Sequence, residues 1–451
     1  MPQDRIPRST VVRYSTGALG TGGFSTLPGL VLLYFMTDTL GIGALWAGLV
    51  IGVVRVWDVV ADPVIGALSD DDDARSGSRR RWMLIGGIAL PVLFVVMFAV
   101  PADLPPIASV LWVGIAYLGA ATAFSVFQVP YMALPASISH DYDERTRLLT
   151  ARVIVLTIAI LAFGGGGPAL RGLVDDPHLG YLLMGVVCAV LLAIGCLVAV
   201  PSAPRHAPFA APRRSIAAIY RETWDVLASG RSLRALVVPF FLQALATGLM
   251  LAGGQYVATY ILLDEDAITF LFVALIAPAI IAAPGWQWLS ARTSKRFAFQ
   301  LSSIVFIVGG VLLVPALLVN DGLVYAPVAL AGLGYAGMQS LPMAMLPDAM
   351  AHDRKRTGID RSGVIGGVWT AMETTGFALG GIVLSLVLAA TGYVASRGGA
   401  EQPEGVLVGI AVAFSVLPAF VVLVSLVPLR GYRLTRAIVD ADVAPEQERA
   451  A

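Results

Sequence analysis

Charge is scarce in this chain. Only 13% of the 451 residues are Asp, Glu, Lys or Arg, where a soluble domain carries about 25%. Lys+Arg and Asp+Glu cancel at 30 each, so no basic excess marks a nucleic-acid partner. The two cysteines, Cys188 and Cys196, share one apolar run, GVVCAVLLAIGC, which excludes a disulfide framework. They are expected to act as core- or lipid-facing hydrophobes. The four histidines (His140, His178, His206 and His352) have no metal-ligand spacing. Glycine is plentiful, but no G-x4-G-K-[ST] string occurs, which argues against a phosphate loop and ATP-driven work. The opening MPQDRIPRST is polar, and no short apolar core with a small-residue cleavage site follows. The first apolar segment is therefore expected to stay in the protein as a span.

What the chain does contain is apolar length. The hydrophobic share is 57%, which is roughly 257 side chains, against ~240 for twelve spans of ~20 residues. Apolar stretches fall at about 16–36, 43–69, 81–100, 108–134, 147–170 and 180–200, then at about 233–262, 266–293, 295–319, 322–350, 363–393 and 405–429. This predicts an all-α membrane protein of six plus six helices. Its parts are an N-terminal bundle at 1–200, a cytoplasmic linker at 201–232, a second bundle at 233–429 and a cytoplasmic tail at 430–451. In the linker, Ile216, Ile219, Tyr220, Thr223, Val226 and Leu227 recur at helical spacing, as in a short helix on the membrane surface.

The positive charges orient the helices. With a cytoplasmic N-terminus, Arg55 and Arg152 lie in or at the edge of spans, Arg171 and Arg397 face outward, and the other 26 of the 30 Lys and Arg face inward. The outward loops are acidic instead: Asp175, Asp176, Asp264, Glu265 and Asp266. Both termini are thus expected inside. Arg outnumbers Lys by 28 to 2, a hint of a GC-rich bacterial source. The halves also repeat. PYMALPASISHD (130–141) and PMAMLPDAMAHD (342–353) share Pro130/Pro342, Leu134/Leu346, Pro135/Pro347, His140/His352 and Asp141/Asp353, all at one offset. Duplicated six-helix bundles are the parallel-repeat plan of major facilitator transporters.

Three motifs narrow this plan: RVWDVVADPVIGALSD (55–70) before the basic Arg79–Arg81, PYMALPASISHDYDERTRLLTAR (130–152), and LPDAMAHDRKRTGIDRSG (346–363). Over its whole length the chain resembles the glycoside–pentoside–hexuronide:cation symporters, the melibiose permease family. The R-x-W-D-x3-D-P string is the most specific part. The resemblance implies that Asp58 and Asp62 bind the coupling cation, with the Ser125 hydroxyl assisting. It also shows three departures. Thr21 and Gly22 replace the family's sugar-binding Lys–Asp pair, and Gln128 and Met132 stand at the fourth-span Asp and Trp. Glu373 and Thr374 lie at the level of a lost eleventh-span lysine. The cation half of the machine is kept and the galactoside half is not.

Physical chemistry weighs the same residues independently. Asp58 and Asp62 are four apart and share a helix face with Arg55. Each charge in a span costs about 2.5–3.5 kcal/mol on insertion scales, so the cluster needs a reason. A structural Arg–Asp pair is one such reason, but it leaves Asp62 unaccounted for. Two carboxylates and a hydroxyl suit a hard cation such as sodium. Candidate substrate contacts are Gln128, Tyr131, Arg152, Gln243, Trp369 and Glu373, with Gln255 also available to a cavity. A glutamine in a span serves equally as helix–helix glue. Arg152 is a candidate partner for an intramembrane acid or an anionic solute. Trp57 suits either stacking on a ring or packing. Gly164–Gly167 before Pro168 suggest a close crossing or bend. Arg55, Asp70, Asp141, Arg145, Asp348 and Asp353 are candidate gating and structural charges, with Asp70–Asp73 expected in a charged cytoplasmic latch or solvated loop.

The expected function is cation-coupled symport of a small organic solute, a sugar or glycoside by resemblance, through alternating access. No cofactor is expected beyond coupling Na+ or H+. The expected partners are the solute and the lipid bilayer, in a bacterial inner membrane. One rival is a proton-coupled carrier or exporter of an amphipathic, lipid-like solute. More remote are an integral membrane enzyme, which lacks clustered nucleophiles here, and a non-transporting sensor.

Overall fold

The computed structural model describes residues 5–139, 142–207, 230–319, 322–358, 361–397 and 400–434, together with Arg221, Trp224, Asp225, Leu227 and Ala228. Long apolar runs become helices because a span must satisfy every backbone N–H and C=O within itself. The first set is α1 (Arg8–Tyr34), α2 (Ala44–Ser76), α3 (Arg80–Phe98), α4 (Pro106–Ile138), α5 (Tyr142–Arg171) and α6 (Pro177–Ala199). The second set is α7 (Arg231–Tyr256), α8 (Ala267–Arg292), α9 (Lys295–Val319), α10 (Tyr325–Thr357) and α11 (Ser362–Thr391). It closes with α12 (Glu404–Phe414) and α13 (Val416–Leu429), one span broken at Ser415.

Among the described residues, eleven helices are long and apolar enough to cross a membrane. The twelfth expected span, α10, is 33 residues, about 50 Å at 1.5 Å per residue. It stands outside the eleven because Gly332, Gly334, Gly337, Gln339 and Ser340 dilute its apolar middle.

The chain divides into two compact units, 1–216 with 393–401, and 217–392 with 402–451. Tyr393–Glu401, in the connection after α11, thus clusters with the first unit. Within that unit α1 packs on α5 and α6, α3 on α4 and α6, and α2 on α4. In the second, α7 packs on α11 and α13, α9 on α10 and α13, and α8 on α10. The two packing patterns are the same six helices on. The π-helical turns after α1 (Phe35–Thr39) and after α7 (Val257–Ile261) repeat as well. Internal duplication of sequence has therefore produced internal duplication of packing.

Small residues set the closest crossings, since lipid provides no hydrophobic force between helices and tight van der Waals contact must. A Cβ on Gly195 would lie 2.6 Å from the Gly20 backbone nitrogen, which locks α6 against α1. Cys196 sits at this crossing, and both cysteines are free and buried. In the GGGG run, a Cβ on Gly167 would lie 2.5 Å from the Leu27 side chain, so the run makes a close crossing with α1.

One expectation is corrected, and others fall outside the described residues. Asp70–Asp73 are not a loop: α2 continues through them to Ser76 and ends on Gly77, whose φ of 73° suits glycine. The acids follow the helix because salt bridges along it compensate them, including the i,i+4 pair Asp71–Arg75. Most of the expected linker helix (Ile216, Ile219, Tyr220, Thr223 and Val226), the His140–Asp141 pair and most of the tail lie outside the described residues.

Candidate functional site

The charged stretch of α2 sits against α4. The Arg55 guanidinium donates to Asp58 Oδ2 at 3.3 Å, with side chains 24% and 21% exposed. That single bond leaves Asp58 Oδ1 and Arg55 Nε buried without a partner. Asp62, one turn on and exposed on its unit, lies within reach of both Arg55 and the Ser125 hydroxyl. Ser125 itself is buried on α4. The structure therefore brings Arg55, Asp58, Asp62 and Ser125 together. It adds Tyr117, a buried phenol within electrostatic reach of Arg55 and Asp58. Tyr117 was not legible as a site residue, because an aromatic in an apolar run gives no signal of its neighbours. Chemically, the cluster holds two carboxylates against one fixed cation and has an uncommitted oxygen. That is one positive charge short, which a bound cation or proton would supply.

A second group lies deeper in the same unit. Tyr131 is fully buried; its hydroxyl donates to the Tyr14 carbonyl at 2.8 Å, and its ring stacks on Tyr14 at 4.7 Å. The Arg152 guanidinium carbon lies 5.6 Å from the Tyr131 ring centroid, a cation–π contact. Among the described residues no carboxylate pairs with Arg152, and its Nε and Gln128 Oε1 are buried without partners. Tyr131 thus contributes a ring wall rather than a free hydroxyl. Tyr14, which sequence reasoning did not select, belongs to the same wall.

The remaining candidates are in the second unit. Gln243 Nε2 donates to Ser303 Oγ and Ser425 Oγ, both at 3.0 Å. Each serine spends its own proton on a backbone carbonyl, of Phe299 and of Val422. The hydroxyls can therefore only accept from the amide, which fixes the flip and leaves Gln243 Oε1 unpaired. Gln243 lines a small pocket with Phe240, Thr247, Tyr335 and Gln339. Phe240 stacks on Trp369 at 3.9 Å, and the buried Trp369 Nε1 has no partner. Glu373, half-buried one turn beyond Trp369, is within electrostatic reach of Tyr335 and makes no salt bridge among the described residues. Gln255 is tied to Thr259 Oγ1 at 3.2 Å, one turn on in the same helical run, so this bond is not helix–helix glue.

The candidate gating charges are paired within their own units. Arg79 donates to Asp70 at 2.7 Å and lies 3.4 Å from Asp73. Arg145 donates to the Ser139 carbonyl at 3.2 Å, and Lys295 to Asp348 at 2.6 Å. Asp353, 6% exposed, is the acceptor hub for Arg356 at 2.9 Å and a bidentate Arg361 at 2.8 Å. Asp141, its counterpart in the repeat, lies outside the described residues. His206 was not singled out, yet it joins this charged end. Its Nδ1 lies 3.0 Å from the Ala207 carbonyl and its Nε2 3.1 Å from Asp73. Both ring nitrogens face acceptors, an arrangement that only the imidazolium satisfies. The Ala207 hydrogen bond, with Asp73 adding to it, holds the ring above its ordinary pKa.

The fold is that of a polytopic membrane protein of two repeated helix bundles, and comparison with known proteins gives its class. Residues 13–436 match the family described as MFS/sugar transport protein, and the chain belongs to that family. It is 26% identical to the uncharacterized symporter YnaJ of Bacillus subtilis (strain 168), over 94% of this chain and 91% of that one. It is 25% identical to the glucuronide carrier protein homolog of Escherichia coli (strain K12), over 94% and 92%. Among solved structures, a bacterial homolog of the human lysosomal transporter Spinster, inward-facing and unoccupied, matches with a TM-score of 0.68. That match has 12% identity and covers 96% of this chain and 97% of that one, so it shows the major facilitator fold alone.

Proposed function

We propose that this protein is a cation-coupled symporter that carries a small organic solute, a sugar or glycoside, across a bacterial cytoplasmic membrane by alternating access. The observation that carries the proposal is the placing of Asp58 and Asp62 one turn apart on α2, Asp62 within reach of Ser125 on α4 and Asp58 with one uncommitted carboxylate oxygen. Arg55 compensates one acid and leaves the other for a cation. Sodium is favoured over a proton, because Ser125 offers a third oxygen that a proton does not need. Arg152 and Gln128 in the first unit, against the Tyr131 ring, are assigned to solute hydroxyl or carboxylate groups. Trp369, Glu373 and the free carbonyl oxygen of Gln243 are the counterpart in the second unit. The family's sugar-binding Lys–Asp pair is replaced by Thr21 and Gly22 and its fourth-span Asp by Gln128, so the solute differs from a galactoside. The arginine distribution supports a cytoplasmic position for both termini.

The test is uptake by the purified full chain in proteoliposomes, over a panel of neutral sugars, glycosides and hexuronides. An inward sodium gradient is compared with choline at fixed pH, and separately with an inward proton gradient. Concentrative uptake of one panel member under sodium is expected. Uptake that only equilibrates, under either gradient and for every member, overturns the symport reading.

A further inference from the structure

Trp57, the aromatic of the R-x-W-D string, has a task that the cation site itself does not explain. It is 42% exposed, so core packing is not its role. Its indole Nε1 donates to Thr122 Oγ1 on α4 at 2.9 Å. Thr122 in turn donates its own proton to the Leu118 carbonyl at 2.8 Å, one turn back along α4. That back-bond orients the hydroxyl and leaves a lone pair for the indole. Trp57 is the residue before Asp58, and Thr122 lies one turn before Ser125.

The register of the two helices shows what this bond holds. Val50 lies against Gly114 and Val129 against Gly66, where a Cβ on each glycine would stand 3.7 and 3.5 Å from the valine methyl. Trp57 meets Thr122 and Asp62 meets Ser125 between those two points. The four pairs keep a nearly constant offset, so α2 and α4 run parallel and in step. Both helices contribute oxygens to the cation site, so its geometry depends on that step. A slip of one residue moves one helix by about 1.5 Å against the other. Hard-cation oxygen ligands at about 2.3–2.6 Å tolerate only a few tenths of that. The apolar contacts at positions 50/114 and 66/129 resist such a slip weakly, because van der Waals surfaces slide. A directional hydrogen bond from a rigid ring does not slide.

We infer that the Trp57–Thr122 hydrogen bond is a positioning brace that sets the α2–α4 register, and thereby the affinity and ion selectivity of the Asp58–Asp62–Ser125 site for sodium. The inference rests on the proposed cation site, and the experiment separates the two.

The probe is sodium alone: radiolabelled sodium binding to the purified full chain, at constant ionic strength with choline, and with lithium as competitor. Thr122→Val keeps the shape and removes the acceptor; Trp57→Phe removes the donor; Thr122→Ser keeps the hydroxyl. Valine and phenylalanine variants are expected to bind sodium on the order of tenfold more weakly, with a changed sodium-to-lithium ratio. The serine variant should stay near the unaltered protein. Thermal unfolding in choline should be similar in all of them, which a purely structural bond would not predict. If Asp58→Asn abolishes sodium binding but Thr122→Val leaves affinity and selectivity unchanged, the brace is wrong and the site stands. If the unaltered protein binds no sodium, the site reading falls and the brace with it. A valine variant that loses thermal stability along with affinity, with serine failing to rescue, also overturns the brace.

Discussion

Replacing Asp58 by Asn separates the two roles that a charged pair inside a span can have. If Asp58 only holds Arg55, the change is a stability defect. If it also binds a cation, the change removes a response to that cation. Breaking a buried ion pair by removing one partner costs about 3–5 kcal/mol when the survivor is left uncompensated. Here the contact is a single 3.3 Å hydrogen bond, about a fifth to a quarter of each side chain is exposed, and Asp62 stays within reach of Arg55. The expected loss is therefore smaller, about 1–2 kcal/mol. Asp62→Asn leaves the Arg55–Asp58 bond intact and should cost less. The double variant Arg55→Met/Asp58→Asn removes both charges and should recover most of the stability lost by the single one. The cation response should behave differently. A ligand at a hundredfold excess over its Kd stabilises the folded state by about 2.7 kcal/mol. Sodium should thus raise the unfolding midpoint of the unaltered protein in detergent and leave all three variants unmoved, including the double variant whose stability has recovered. The measurement is thermal unfolding of purified protein in sodium against choline. Sodium stabilisation of Asp58→Asn and Asp62→Asn equal to that of the unaltered protein would refute the paired-carboxylate site, and the cluster would then be structural only.

Three other outcomes are expected. Asp353→Asn removes the acceptor that gathers Arg356 and Arg361, so the α10–α11 connection should loosen. A cysteine placed beside it should label faster from the cytoplasmic side; an unchanged rate removes the gating role. His206 has a folded-state pKa raised above 6.5, so the interaction of its cation with Asp73 is fully present below 6.5. It is lost as pH rises through the raised value. Labelling of a cysteine at Ala207 should therefore accelerate with rising pH in that window more steeply than the thiolate fraction alone requires, and His206→Gln should remove that excess; identical profiles with and without His206 speak against it. Reporter domains fused after Ser229 and after Ala451 should both report the cytoplasm and one near Glu265 the exterior, and an external C-terminus would break the six-plus-six topology.

Much of this protein was legible along the chain itself. Span lengths, the arginine bias, the repeat at 130–141 and 342–353 and the i,i+4 aspartates are one-dimensional facts, because helix geometry and bilayer thickness turn spacing directly into length and face. The tertiary structure decided which face meets which. Three glutamines looked alike in the sequence. All three keep an unpartnered carbonyl oxygen, but the Gln243 amide nitrogen is clamped by Ser303 and Ser425 and that of Gln255 is tied to Thr259. Tyr131 looked like a polar contact, but its hydroxyl is spent on Tyr14. Asp70–Asp73 read by charge as a latch or a solvated loop; they are helical rather than a loop, with Arg75 and Arg79 compensating them. Trp57 and Thr122 lie 65 residues apart, and no periodicity within either helix tells of the other. The physical reason is the same each time. A helix's own sequence sets what it presents, whereas the axial register and rotation between two helices depend on side chains from both, and these determine which polar atom finds a partner and which is left for a ligand.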